Sequence, residues 1–244
     1  MKKNIILWSG GKDSTATIIL CHLHQIPIDE IIFTEVMYDK RRGLSGELPE
    51  HIHFIKKVAK PLFESWGYTV NIITGETDYI TLFNRIISRP LKHMDHKGKS
   101  FGFPLGKMCS IRRDCKIKPA AMYLNHKYGK EGYQQYVGIC ADEEKRLITL
   151  NRTPKISLLA QYSITQQDAK VLCESYGLLS PAYQYSKRGG CWFCPYAKEE
   201  EHTCIKRNDP DLWAEFIALE GRSDLANSRW NPFKETLKER NNRL

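Results

Sequence analysis

The sequence predicts an α/β protein: a doubly wound, mostly parallel sheet with a small helical appendage at its carboxyl end. Apolar runs of strand length (residues 5–8, 30–36, 68–74 and 134–140) alternate with amphipathic runs of helix length. Such alternation calls for right-handed crossovers and helices on both faces of a parallel sheet. Beyond residue 195 the alternation stops and polar helices follow. The expected division is an α/β domain over residues 1–185, then a cysteine knuckle and helical tail over 186–244.

The first strand, Ile5-Ile-Leu-Trp8, breaks into Ser9-Gly10-Gly11-Lys12-Asp13-Ser14, and an amphipathic run over 15–24 follows at once. Two glycines allow a tight turn and close backbone approach to a ligand, and the first amides of the next helix are unpaired donors at its positive end. An anion fits there. Ser9 and Ser14 add hydroxyls and Lys12 a cation, while Asp13 belongs beside phosphate only through a divalent metal. The competing reading is structural, with Asp13 and Ser14 capping the helix.

These six residues resemble the pyrophosphate-binding PP-loop of the ATP pyrophosphatase superfamily, whose members cleave ATP between the α and β phosphates and adenylylate a substrate. The Walker spacing is absent. Over about residues 1–195 the chain most resembles the phosphoadenosine phosphosulfate (PAPS) reductase-like branch, including its mobile-element and DNA-phosphorothioation relatives. The resemblance implies an adenine nucleotide alpha-hydrolase-like fold: a five-stranded sheet of order 3-2-1-4-5, with the base near the end of the second strand. ATP and Mg2+ are the implied ligands of Ser9, Gly10, Gly11, Lys12, Asp13 and Ser14. Glu35, ending the second strand, either touches nucleotide or caps the sheet edge.

Residues 37–47 read as a polar loop, and Pro49 opens a core-facing helix that Pro61 should kink or interrupt. A third helix is expected over 78–88. The middle segment Gly102-Phe-Pro-Leu-Gly-Lys-Met-Cys109-Ser-Ile-Arg-Arg-Asp-Cys115-Lys116-Ile-Lys-Pro119 resembles the Cys-Thr-x-x-x-Lys-x-x-Pro segment of that branch, with Cys109 matched to the family cysteine and Lys116 to the family lysine, two positions further apart than in that pattern, and Cys115 an extra cysteine. Residues six apart in a continuous helix point roughly 120° away from one another. Cys109 and Cys115 can therefore share a metal only if the helix starts between them or is distorted.

Gly138, Glu143 and Arg146 match the branch's Gly-x-x-x-x-Glu-x-x-Arg motif, in which glycine permits close approach and arginine holds phosphate or activated substrate; solvated charges at a strand exit are the alternative. Thr165 and Asp168 form a helix-capping pair, and Gly177 ends that helix in the left-handed region. Gly189-Gly-Cys191-Trp-Phe-Cys194-Pro195 is a Cys-x-x-Cys knuckle that points two thiolates at one metal. Cys191 and Cys194 could join Cys109 and Cys115 around a 4Fe-4S cluster, join His202 and Cys204 around Zn2+, or act as a redox dithiol. A helix is expected from Asp209 and another over 233–240, with Trp213, Phe216 and Leu219 packing on the main domain or on a second subunit of a homodimer.

The chain has 37 Lys and Arg against 28 Asp and Glu, a net charge of +9. Between Arg85 and Lys130 there are 12 basic and two acidic residues, so this segment holds the surplus. It reads either as a surface for tRNA or DNA or as a solvated face. No signal peptide or long apolar span is recognised, and eight cysteines without a secretory context suit thiols or metal ligands. A soluble cytoplasmic protein that meets no membrane is expected.

The expected function is that of an iron–sulfur transferase of sulfur metabolism: ATP cleavage to AMP and pyrophosphate, adenylylation of an acceptor, and attack by sulfur from a donor protein. Lys12, Asp13, Lys116 and Arg146 are the expected catalytic residues, and Ser9 to Ser14, Glu35 and Gly138 the nucleotide contacts. Two alternatives remain: a sulfonucleotide reductase, against which the absence of any cysteine after Cys204 argues, and a zinc-containing, nucleotide-sensing nucleic-acid-binding protein.

Overall fold

A computed structural model describes residues 2–104, 109–186, 189–231 and 235–244. β1 (Lys3–Trp8) leads through a glycine turn into α1 (Lys12–Leu23), and β2 (Glu30–Glu35) is buried along its whole length. The residues expected to form a polar loop instead contain a small antiparallel pair, β3 (Met37–Asp39) and β4 (Leu44–Ser45). Then α2 (Pro49–Phe54) and α3 (Lys60–Ser65) are separated by a π-helical turn over Ile55–Ala59. Pro61, which cannot donate an amide and would crowd the carbonyl four residues back, follows that distortion.

β5 (Val70–Thr74), α4 (Tyr79–Asn84, capped by Asp78) and β6 (Ser100–Gly102) come next. A π-helix over Arg112–Ile117 runs into α5 (Lys118–Tyr128), which precedes β7 (Tyr133–Tyr136). The rest comprises α6 (Glu144–Leu150), α7 (Leu158–Gln161), α8 (Gln166–Ser175), α9 (Glu199–Asn208), α10 (Pro210–Ala218), β8 (Leu225–Asn227) and α11 (Leu237–Arg243). The start expected for the last helix, Phe233, lies outside the described residues; Thr236 caps α11.

Two compact units divide the chain. The first holds residues 1–34, 49–73 and 119–189. Its sheet has the order β5-β2-β1-β7, with β1 parallel to both β2 and β7. Alternate residues of the buried strands serve opposite faces: Ile6, Trp8, Ile31 and Phe33 pack with Ile18, Phe63 and Leu159, whereas Ile5 and Ile32 meet Leu124. The four strands follow the expected order, and among the described residues no fifth strand joins them. Its place beside β7 is reduced to one parallel bridge, Tyr136↔Ile156, after which Ser157 caps α7 and turns the chain away.

The second unit holds residues 35–48, 74–118 and 190–244. β6 pairs parallel with β8, and the core is aromatic. Tyr38 lies 4.7 Å from Trp192 and Tyr79 lies 4.3 Å from Phe193, centroid to centroid. Phe216 of α10 packs 5.3 Å from Trp192, and Trp213 is likewise buried. Among the described residues no helix is long and apolar enough to cross a membrane.

Candidate active site

The turn between β1 and α1 closes on its own serines. Ser14 donates its hydroxyl to the Gly11 carbonyl (3.0 Å), so the contact between the Ser9 and Ser14 hydroxyls (3.0 Å) must be donated by Ser9. The Ser9 amide also donates to Ser14 Oγ (3.2 Å). Gly10 sits at φ +73°, and a Cβ there would lie 2.7 Å from His51 Cε1 and Ile55 Cδ1, so both conformation and space require glycine. His51 is fully buried behind the turn. Its Nε2 faces the Ser9 carbonyl (3.1 Å), which can only accept, so Nε2 carries the proton and Nδ1 accepts from Ser180 Oγ (2.8 Å). The Tyr183 hydroxyl accepts the Lys12 amide (3.0 Å), and burial pushes this phenol up to about 12.

Across the mouth of the turn, Lys12 Nζ pairs with Asp13 Oδ1 (2.5 Å) and Arg146 Nη1 with Glu143 Oε1 (2.5 Å). Between them lies Cys140, wholly buried, whose thiol donates to Asp13 Oδ1 (3.3 Å) and whose amide donates to Glu143 Oε2 (2.9 Å). Burial, reinforced by Asp13, pushes the Cys140 thiol well above its ordinary range. Among the described residues, Asp13, Cys140 and Glu143 are the one group of three His, Cys, Asp or Glu whose donor atoms lie within 4.8 Å of one another. The two carboxylates suit a hard divalent cation; the thiol is a softer third donor. Gly138 passes so close that a Cβ would lie 2.6 Å from Asp13 C and Ser14 N. One unit thus gathers Ser9 to Ser14, Gly138 and Arg146. His51, Cys140, Ser180 and Tyr183 carry no local spacing that marks them in the sequence, and Glu143 is visible there only as part of a motif.

The second unit holds Glu35, Cys109, Cys115, Lys116, Cys191 and Cys194. Glu35 is buried at the end of β2. Cys109 stands at the start of its helix, where its sulfur accepts the Arg112 amide (3.4 Å), and the helix is π-distorted from Arg112 onward. Both conditions under which Cys109 and Cys115 could face one site are therefore met. Cys115 is wholly buried, and burial pushes it up to about 12. The knuckle is anchored through its backbone: Trp192 N donates to Gly46 O (3.0 Å), Leu48 N to Gly190 O (3.2 Å), and Cys194 N to Cys191 O (3.1 Å). Lys187 and Arg188, which lead into it in the sequence, lie outside the described residues.

Glu47 pairs across an antiparallel bridge with Cys191, and its carboxylate lies 3.6 Å from Lys116 Nζ. Burial first, then Glu47, pushes the Cys191 thiol upward, with Lys116 opposing. The side-chain atoms Tyr38 Oη, Tyr79 Oη and Glu47 Oε1 are buried without a hydrogen-bond partner among the described residues. Orphaned polar atoms beside cysteines fit a site built for a charged group. No three of the cysteines bring their sulfurs within 4.8 Å of one another among the described residues. One tetrahedral zinc would need them about 3.8 Å apart, whereas a cluster binds each thiolate to a different iron. His202 and Cys204 likewise complete no such group. His202 packs between Trp213 and Trp230, and burial, aided by Arg240, pushes it down to about 4.

Within the basic segment, Lys127 is paired with Glu30, Arg113 with Asp114, and Arg85 stacks on Phe101; Lys107 lies outside the described residues. Arg89, Lys92 and Lys97 are exposed on an excursion closed by Ile87 N to Lys99 O (2.9 Å).

No family model matches this chain, and no curated protein matches it. Among solved structures it is similar to the U34-tRNA thiolase NcsA from Methanococcus maripaludis with its 4Fe-4S cluster. The two share 17% identity over 100% of this chain and 81% of that one, with a TM-score of 0.40. At this level of similarity no ligand or substrate passes from that protein to this chain.

Proposed function

We propose that this chain is a PP-loop enzyme of the PAPS reductase-like branch, which cleaves ATP to AMP and pyrophosphate and adenylylates an acceptor in sulfur transfer or nucleic-acid modification. One observation carries the reading: a glycine turn at the carboxyl end of a parallel strand, opening a helix and ringed by two serines, a lysine and a motif arginine. Ligands of open parallel sheets bind at that end of the strands.

The Lys12–Asp13 and Arg146–Glu143 pairs define what the site does when phosphate arrives. Phosphate oxygens draw Lys12 and Arg146 away from their carboxylates, leaving Asp13 and Glu143 as the residues that would hold a divalent cation. Mg2+ held there would neutralise charge on the β and γ phosphates. An acceptor oxygen attacks the α-phosphorus and its proton passes to solvent. The bond to the bridging oxygen breaks, and pyrophosphate leaves with the electron pair. The first-turn amides of α1, the Ser9 and Ser14 hydroxyls and Lys12 stabilise that leaving charge, and His51 fixes the Ser9 carbonyl so that the donors stay aimed. A sulfur nucleophile then displaces AMP from the adenylylated carbon. Cys109, Cys115, Cys191 and Cys194 would hold an iron–sulfur cluster, which supplies bound sulfur when present, and Lys116 offers a cation beside it. Gly138 borders the nucleotide. The exposed cations of residues 85–130 support tRNA or DNA as the acceptor; a sulfur-donor protein is the further partner of this reading, and the cytoplasm its compartment.

The test is product analysis with Mg2+-ATP. AMP and pyrophosphate are expected, with Lys12→Ala lowering turnover at least a hundredfold, the scale of losing one transition-state donor. ADP and phosphate as products would overturn the reading.

A further inference from the structure

A carboxylate taken out of water is stable only when cations or several donors surround it. Glu47 is 2% exposed, and its Oε1 accepts no hydrogen bond among the described residues. The ammonium of Lys116 stands at 3.6 Å, longer than the 2.7–2.9 Å typical of a charge-assisted hydrogen bond, and is itself one-third exposed. That is weak compensation for a buried negative charge. Among the described residues no second cation pairs with it.

The backbone indicates where it belongs. Glu47 and Cys191 are directly paired across an antiparallel bridge, and opposite residues of such a pair send their side chains to the same face. The carboxylate and the first knuckle sulfur therefore share one side. Tyr79 Oη and Tyr38 Oη, also orphaned, belong to the aromatic core that packs on Trp192 and Phe193 within the knuckle. Cys109, Cys191 and Cys194 are each partly accessible, whereas Cys115 is wholly buried. Iron accepts thiolate and carboxylate together.

Resting on the iron–sulfur reading but taking Glu47 in place of Cys115 as the fourth ligand, we propose that Glu47 is an oxygen ligand of the centre held by Cys109, Cys191 and Cys194, and that Cys115 packs the helix behind it. The full chain, its Glu47→Gln, Glu47→Cys, Cys115→Ala and Cys191→Ala variants would be reconstituted without oxygen using ferrous iron and sulfide. Iron and sulfide per chain, the electron paramagnetic resonance spectrum after reduction, and the thermal transition would be read. E47Q is expected to hold less than half the wild-type iron and sulfide with its thermal transition kept. E47C, which places a thiolate there, should regain the metal with an altered spectrum, and C115A should load normally. Wild-type loading and spectrum in E47Q would overturn the inference, as would a C115A variant that stays empty. Should E47Q fail to fold, an E47C variant that folds yet loads no more than C191A would do the same. If the wild-type chain takes up no iron, the cluster reading falls as well, and the two failures are told apart by that control.

Discussion

Glu30 shows how a single buried charge is made to stabilise the fold. It is 1% exposed at the start of β2, and its carboxylate accepts from Tyr123 (2.6 Å), Tyr128 (2.5 Å), Lys127 (3.0 Å) and Asn71. Burial alone would raise its pKa, but these donors outweigh burial and hold it below the usual carboxylate range. The contribution is therefore present above the unfolded value near 4.3 and is lost as pH falls through the lower folded value. Glu30→Gln should cost about 2 kcal/mol at pH 7 and flatten the acid limb of stability, as read from denaturant midpoints between pH 3 and 7. Single residues are also where the sequence is least informative. Lys12 and Asp13 announce themselves by their neighbours, but Tyr183 reaches the Lys12 amide from 171 positions away, and His51 meets Ser180 across 129. Nothing local encodes such meetings.

At the level of elements, helix caps and strand alternation are legible because they depend on residues no more than three or four apart. Thr165 and Asp168 form the expected capping box on α8, and Gly177 takes the left-handed conformation at φ +65°. α8 also supports the candidate site, since its Cys173 donates to the Lys12 carbonyl (3.2 Å). Thr165→Ala should lower stability by about 1 kcal/mol in thermal unfolding, while affinity for ATP changes less than twofold at temperatures where the protein stays folded. The helix following Cys109 is a harder case. A sequence gives no sign that a helix will widen to π geometry over Arg112–Ile117, because that choice depends on what each turn packs against. That no fifth strand joins the sheet among the described residues has the same kind of reason: Ile156 is apolar enough to pair, but the cap at Ser157 ends the ladder after one bridge.

For the molecule as a whole, the basic surplus separates into residues paired within the chain and residues left to solvent. Lys127 and Arg113 are committed to internal pairs, whereas Arg89, Lys92 and Lys97 project from one excursion. If nucleic acid is the partner, Arg89→Glu, Lys92→Glu, Lys97→Glu together should weaken binding at least tenfold at about 0.1 M salt, read by fluorescence anisotropy. The slope of log affinity against log salt should shrink by about 2 to 3. Equal affinity in both proteins would exclude this excursion as the contact. The fold class and the phosphate turn are legible in the sequence because contiguous stretches encode them. The division into two units is not, since each is assembled from three separated stretches.

That interleaving sets a timetable for synthesis. The chain passes between the units after residues 34, 48, 73, 118 and 189, so the first unit is incomplete until Gly189 has left the ribosome and the second until its closing helices follow. At about 5–20 residues per second, the apolar β1 and β2 wait roughly 10–40 s before their last partners exist. The strands of this sheet are all paired once Tyr136 is made, so what the nascent protein carries over the later part of that interval is a sheet face still lacking the cover of Leu159, Ala169, Cys173 and Leu178.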